Sequence, residues 1–200
     1  MKRRIGIVFL ALLCTILVCG SYYLLKSKVR VHPDEAGDLT KIEKLVARNL
    51  DTDYPATPRE VVKFYNKIIL SFYGQNYTEE QFEGLLTQAQ GLMDEQLLAN
   101  NPLDTYRTAV ADEIKDYEKR DREIRQSSVC DSDDVLYKTD PDKGDELAYV
   151  TATYFVKEKK EFTRTYQMYV LRKDDSEKWK ILTYYQIKKN PDKDMEEETD

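Results

Sequence analysis

One histidine, His32, and three cysteines, Cys14, Cys19 and Cys130, are all the imidazole and thiol in this 200-residue chain. A lone imidazole cannot build a histidine metal site. It also leaves a Ser–His or Cys–His pair only one base to draw on. His32 stands next to Pro33 in a short polar run and reads as an exposed linker residue. Cys14 and Cys19 fall in an apolar N-terminal stretch, so Cys130 is the only thiol of the remainder, and one thiol makes no internal disulfide. An exported domain without disulfides suits a Gram-positive cell better than the eukaryotic secretory pathway. Asp131, Asp133 and Asp134 crowd Cys130 with negative charge, which disfavours a thiolate nucleophile and points to a quiet structural thiol.

Glycine (7) and proline (6) are sparse, so long flexible loops are few. Basic charge is also short. Lys2, Arg3 and Arg4 precede the apolar stretch. Without them, 28 basic residues (31 less 3) face 37 acidic ones, a net charge of −9. Such a domain repels phosphate backbones, and nucleic acid is excluded as a partner. The 41% hydrophobic and 34% charged content is that of a globular chain rather than a disordered one.

What the chain does have is one long uncharged run, Ile5 to Leu25. Twenty-one helical residues span about 31 Å, close to a hydrocarbon core of about 30 Å. Tyr22 and Tyr23 sit near its end, where amphipathic rings favour the interface. Three fates compete. The run stays as a signal anchor; it is cleaved after Gly20 or Ser21; or Cys19 is acylated. The cleavage sequences are not A-x-A, and Val18 stands where a lipobox needs a small residue. The expectation is therefore a single-pass cell-membrane protein: residues 1–4 cytoplasmic, 5–25 spanning, 26–39 a juxtamembrane spacer, and the C-terminal domain extracytoplasmic. The slight excess of N-side positive charge sets that orientation.

Residues 40–188 read as one α+β domain. A short amphipathic helix is expected over 40–50. Thr57-Pro58-Arg59-Glu60 is a capping box with proline at the first helical position. The helix behind it carries Val61, Phe64, Tyr65, Ile68, Ile69 and Phe72 on one face, with Lys63, Asn66 and Lys67 turned away, and stops at Gly74. A second box, Thr78 to Gln81, opens a helix to about Gln90. Leu92, Met93, Leu97 and Leu98 read as a further short helix, and a long one runs from Leu103 to about Arg122 with a solvated charged face. The period then changes. Residues 124–129 and 135–137 are weak strands, and 147–157, 162–172 and 179–188 are long ones, joined by charged turns into an antiparallel meander. Residues 189–200 read as a disordered acidic tail.

Fifteen tyrosines are many, and several fall on consecutive strands. Tyr149, Phe155, Tyr166, Tyr169, Tyr184 and Tyr185 either line a concave apolar pocket with polar tips or pack across strands against the helices. Asp140 to Glu146 places oxygen side chains at alternate positions, as calcium loops do, but glycine and glutamate fall at the wrong places, and the run reads as a turn. No metal and no cofactor is expected. The interiors of 148–156 and 163–172 contain no carboxylate, which argues against acid–base catalysis in such a pocket.

Helices followed by a meander that ends in Trp179-Lys180-Ile181 resemble the nuclear transport factor 2-like cone fold, over roughly Thr57 to Lys188. The layout, with the run N-L-D-x-D-Y-P-x-T-P-R-E-V-V at Asn49 to Val62, is similar to an uncharacterised family of membrane-anchored proteins from Gram-positive anaerobes. Neither resemblance implies an activity. The expectation is a non-catalytic module of the cell envelope that binds a protein partner or a small ligand. The alternative is a binding or catalytic cone using the tyrosine-lined pocket. By analogy with the fold, the sheet face is a third candidate surface, for homo-oligomerisation.

Overall fold

A computed structural model describes residues 35–74 and 77–188, with side chains from Lys41 onward. The uncharged run 5–25 that is expected to span a membrane, most of the expected spacer and residues 189–200 lie outside the described residues. By its internal contacts the chain divides into Met1–Asp38 and Leu39–Asp200. Among the described residues no helix is long and apolar enough to cross a membrane.

Among the described residues, five α-helices precede one five-stranded antiparallel sheet. The helices are α1 (Glu35–Val46), α2 (Pro58–Tyr73), α3 (Glu79–Gly91), α4 (Glu95–Asn100) and α5 (Leu103–Lys119). The strands are β1 (Arg122–Val129), β2 (Leu136–Thr139), β3 (Glu146–Glu158), β4 (Glu161–Lys173) and β5 (Trp179–Ile187). Both β1 and β2 pair with β3, and β4 and β5 continue the sheet from its other side.

Local sequence explains the helix starts. Both capping boxes form: Thr57 accepts from the Glu60 N–H, and Thr78 from that of Gln81. The apolar arc of α2 then lies across β1, β3 and β5. Val61, Val62 and Ile68 have no exposure, and burial of such a side chain stabilises by roughly 1.5–3 kcal/mol. Asn66 does not turn outward with Lys63 and Lys67 as its polarity suggested. It is 2% exposed, because a hydrogen-bond partner meets it inside.

Three other boundaries differ from the sequence reading. α1 begins at Glu35, inside the expected spacer, and ends at Val46 rather than Leu50. Leu92 and Met93 do not join a helix. Ile181 N–H donates to the Leu92 carbonyl and Asp94 N–H to that of Ile181, which ties the link between α3 and α4 to β5. Arg122 starts β1 rather than ending α5, after Asp121 reverses the chain at φ 52°.

The two-residue alternation of the strands decides which side chains meet the helices. On β3 these are Ala148, Val150, Ala152, Tyr154 and Val156, all buried. Their partners on β4 include Leu171, Tyr169, Gln167 and Thr165. A register shift between Val170 and Leu171 then lets Trp179 and Ile181 share this face with Tyr184 and Gln186. The Trp179-Lys180-Ile181 run fastens β5 to the helices. The Trp179 carbonyl accepts from Tyr54 Oη at 2.8 Å, Lys180 Nζ donates to the Gly91 carbonyl at 2.7 Å, and Ile181 is fully buried.

Candidate functional site

A cavity of about 380 Å³ lies between α2, α5 and the helix-facing side of the sheet, within the usual range for small-molecule sites. Tyrosines from five elements contribute to its wall. Tyr65 and Tyr73 come from the apolar arc of α2 and Tyr117 from the last turn of α5. The others are Tyr154 on β3, Tyr166 and Tyr169 on β4 and Tyr184 on β5. Their rings are in contact: Tyr65 meets Tyr169 edge-on at 5.8 Å, Tyr169 meets Tyr184 at 5.6 Å, and Tyr73 lies on Tyr117 at 4.3 Å. Such pairs add roughly 0.5–1.5 kcal/mol each beyond area burial.

Behind the wall the hydroxyls form a short network. Tyr154 Oη lies 2.5 Å from Asn66 Oδ1 and 2.6 Å from Tyr169 Oη, which lies 3.1 Å from Gln167 Oε1. Gln167 borders the cavity, so the network joins the cavity to the buried amide of α2. Burial raises the Tyr65, Tyr154 and Tyr169 phenols, since a phenolate there would lose its hydration. Burial raises Tyr73 as well, and the Glu113 carboxylate beside it adds to the effect.

Four charged residues border the cavity: Glu113, Asp116, Arg120 and Arg122. Asp116 and Arg120 pair with each other at 3.0 Å along α5. Glu113 stands beside Tyr73. The Arg122 guanidinium covers the Tyr117 ring at 4.6 Å.

Of the six residues that sequence reasoning proposed, Tyr166, Tyr169 and Tyr184 border this cavity, and Tyr149, Phe155 and Tyr185 do not. The latter three share the register of the opposite sheet face. There Lys138 covers Tyr149, Arg164 covers Phe155, and Tyr185 is half exposed. Alternation within β3 carries the signal that separates them: Tyr154 keeps step with Ala148, Val150, Ala152 and Val156, whereas Tyr149 and Phe155 keep step with Thr151, Thr153 and Lys157. Tyr65 and Tyr117 read as helix core from the sequence, and nothing local marks them as cavity wall.

The other candidates fall elsewhere. The Asp140 to Glu146 run is the turn between β2 and β3. Asp140 Oδ1 accepts from the Asp142 and Lys143 N–H groups, and Asp145 binds Arg172. Among the described residues no group of three or more His, Cys, Asp or Glu side chains is placed to hold a metal ion. Cys130 follows β1, half-buried, and its carbonyl accepts from Arg59 Nε. No curated protein matches the chain at a significant level. A family model described as a domain of unknown function, DUF6715, matches residues 1–184, and the chain belongs to that family.

Proposed function

We propose that this protein is a membrane-anchored, extracytoplasmic module that binds a small ligand without transforming it. On this reading residues 5–25 hold the chain in the cell membrane with its N-terminus inside, and the α+β domain is a nuclear transport factor 2-like cone of the envelope. The observation that carries the reading is the cavity itself: an open space of about 380 Å³ bordered by seven tyrosines, with a phenol and amide network beside it. Rings give a ligand apolar contact, and fixed polar tips orient it.

The catalytic alternative is less well supported. General acid–base chemistry needs a group that titrates near the working pH. Burial keeps the wall phenols protonated far above it. The two carboxylates at the cavity lie toward solvent on α5, one of them paired with Arg120.

Ligand-observed NMR of the full chain against small aromatic acids, alcohols and amines tests the proposal. Saturable binding is expected, and Thr165→Trp, which places a large ring in the wall, is expected to abolish it while the protein stays folded. Failure of every probe class to bind would remove the reading. Protease treatment of intact cells tests the orientation: cleavage of the domain supports it, and protection until lysis overturns it.

A further inference from the structure

Among the charged groups at the cavity, Arg122 differs in how it is satisfied. Asp116 and Arg120 neutralise each other at 3.0 Å. Glu113 faces the Tyr73 hydroxyl. Arg122 has its guanidinium over the Tyr117 ring at 4.6 Å, and its buried Nε finds no hydrogen-bond acceptor among the described residues. The nearest carboxylate oxygen, on Glu158, is 3.9 Å from Nε, beyond hydrogen-bond reach. The other arginines contacting helix or turn acids are better paired: Arg48, Arg59, Arg107, Arg120 and Arg172 each donate to a carboxylate. A guanidinium carries five donors in a planar fork that matches a carboxylate, and contact with a ring holds that fork in place.

We infer that the cavity takes a planar or aromatic monocarboxylate, with Arg122 holding the carboxylate and the tyrosine wall holding the ring. This rests on the ligand-binding reading and names its ligand class. Monoanionic charge follows from the surroundings. One guanidinium neutralises one charge, and Glu113 and Asp116 at the same cavity disfavour a second negative charge on the ligand. The cation site over Tyr117 is filled by Arg122 itself, so an ammonium ligand would meet a like charge there.

Three probes of one skeleton test this on the full chain: 3-phenylpropionate, 3-phenyl-1-propanol and 3-phenylpropylamine, titrated by calorimetry or NMR. A charge-assisted pair is worth more than a neutral one, so the carboxylate is expected to bind at least about tenfold more tightly than the alcohol, with the amine weakest. Arg122→Gln is expected to remove that preference, and Arg125→Gln, at a residue paired with Glu123 outside the cavity, to retain it. Glu158→Gln withdraws the loose competitor at a strand end and is expected to raise carboxylate affinity several-fold, so the inference does not depend on the Arg122 variant folding. Equal binding of alcohol and carboxylate, or tightest binding of the amine, overturns the ligand class and leaves the cavity reading standing. Absence of binding by all three overturns both.

Discussion

Each phenol has a single proton to donate, and that count makes Tyr154 the residue on which the interior network depends. It touches both Asn66 Oδ1 and Tyr169 Oη, and since an amide oxygen only accepts, Tyr154 donates to Asn66 and accepts from Tyr169. Tyr169 then has one proton for two acceptors, Tyr154 Oη and Gln167 Oε1. Tyr154→Phe leaves Asn66 Oδ1 buried with no donor, and an orphaned buried acceptor costs about 1–3 kcal/mol. The single variant is therefore expected to unfold at lower denaturant by that amount. Asn66→Leu added to it is expected to recover part of the loss, since replacing both partners by apolar groups is close to neutral. Strict additivity of the two losses in a double-mutant cycle would refute the pairing. Nothing local in the sequence shows this pair. Asn66 looks like a surface residue of α2, and its burial is favourable only because a hydroxyl arrives from β3, 88 residues later.

At the scale of elements, α3 meets the last residue of α1 and the chain beyond it at two glycines. A Cβ at Gly84 would lie 2.5 Å from Val46 Cγ1 and 3.0 Å from Cγ2, and one at Gly91 2.6 Å from Leu50 Cδ1. Gln88, between them, donates to the carbonyls of Val46 and Arg48 and closes the end of α1. Valine is stiff at χ1 and cannot turn a methyl away cheaply, whereas Leu50 presents the far end of a flexible side chain. Gly84→Ala is therefore expected to destabilise by about 1 kcal/mol net. Overpacking of about 1–3 kcal/mol exceeds the gain of about 1 kcal/mol in helix propensity. Gly91→Ala is expected to change the melting temperature little, and a larger drop there than at Gly84 would contradict this account. Thr57→Ala, which removes a cap that is formed, is expected to cost about 1 kcal/mol. Elements bounded by such signals were legible: α2, α3 and the three long strands lie close to where caps, stops and alternation put them. The expected helix at Leu92 and Met93 was not there because those groups pair with Ile181, and an apolar pair carries no mark of a partner 88 residues away.

For the whole molecule, one ion pair and many phenols set the response to perturbation. Arg172 on β4 donates to both carboxylate oxygens of Asp94, which also caps α4, and to Asp145 in the turn before β3. Asp94 is 4% exposed, so Arg172→Met leaves a buried carboxylate unpaired and is expected to cost about 3 kcal/mol, by the usual penalty for breaking a buried pair. The phenols give a sharper test. Tyr106 is pushed up to about 12 by burial, and burial raises Tyr65, Tyr73, Tyr154 and Tyr169 as well. An unfolded tyrosine ionises near 10. Below about pH 10 both states keep the proton and the full stability is present. Above it the unfolded chain releases protons that the folded chain retains, so stability falls as pH rises. Each such phenol removes up to about 1.4 kcal/mol per pH unit, and five together can exhaust a typical stability of about 5–15 kcal/mol within one or two units. The domain is thus expected to unfold cooperatively in alkali, with near-ultraviolet phenolate absorbance of the buried tyrosines appearing together with the loss of circular dichroism. If all fifteen tyrosines of the chain ionise while the circular dichroism is still native, the wall phenols are in contact with water and the cavity is not built as described.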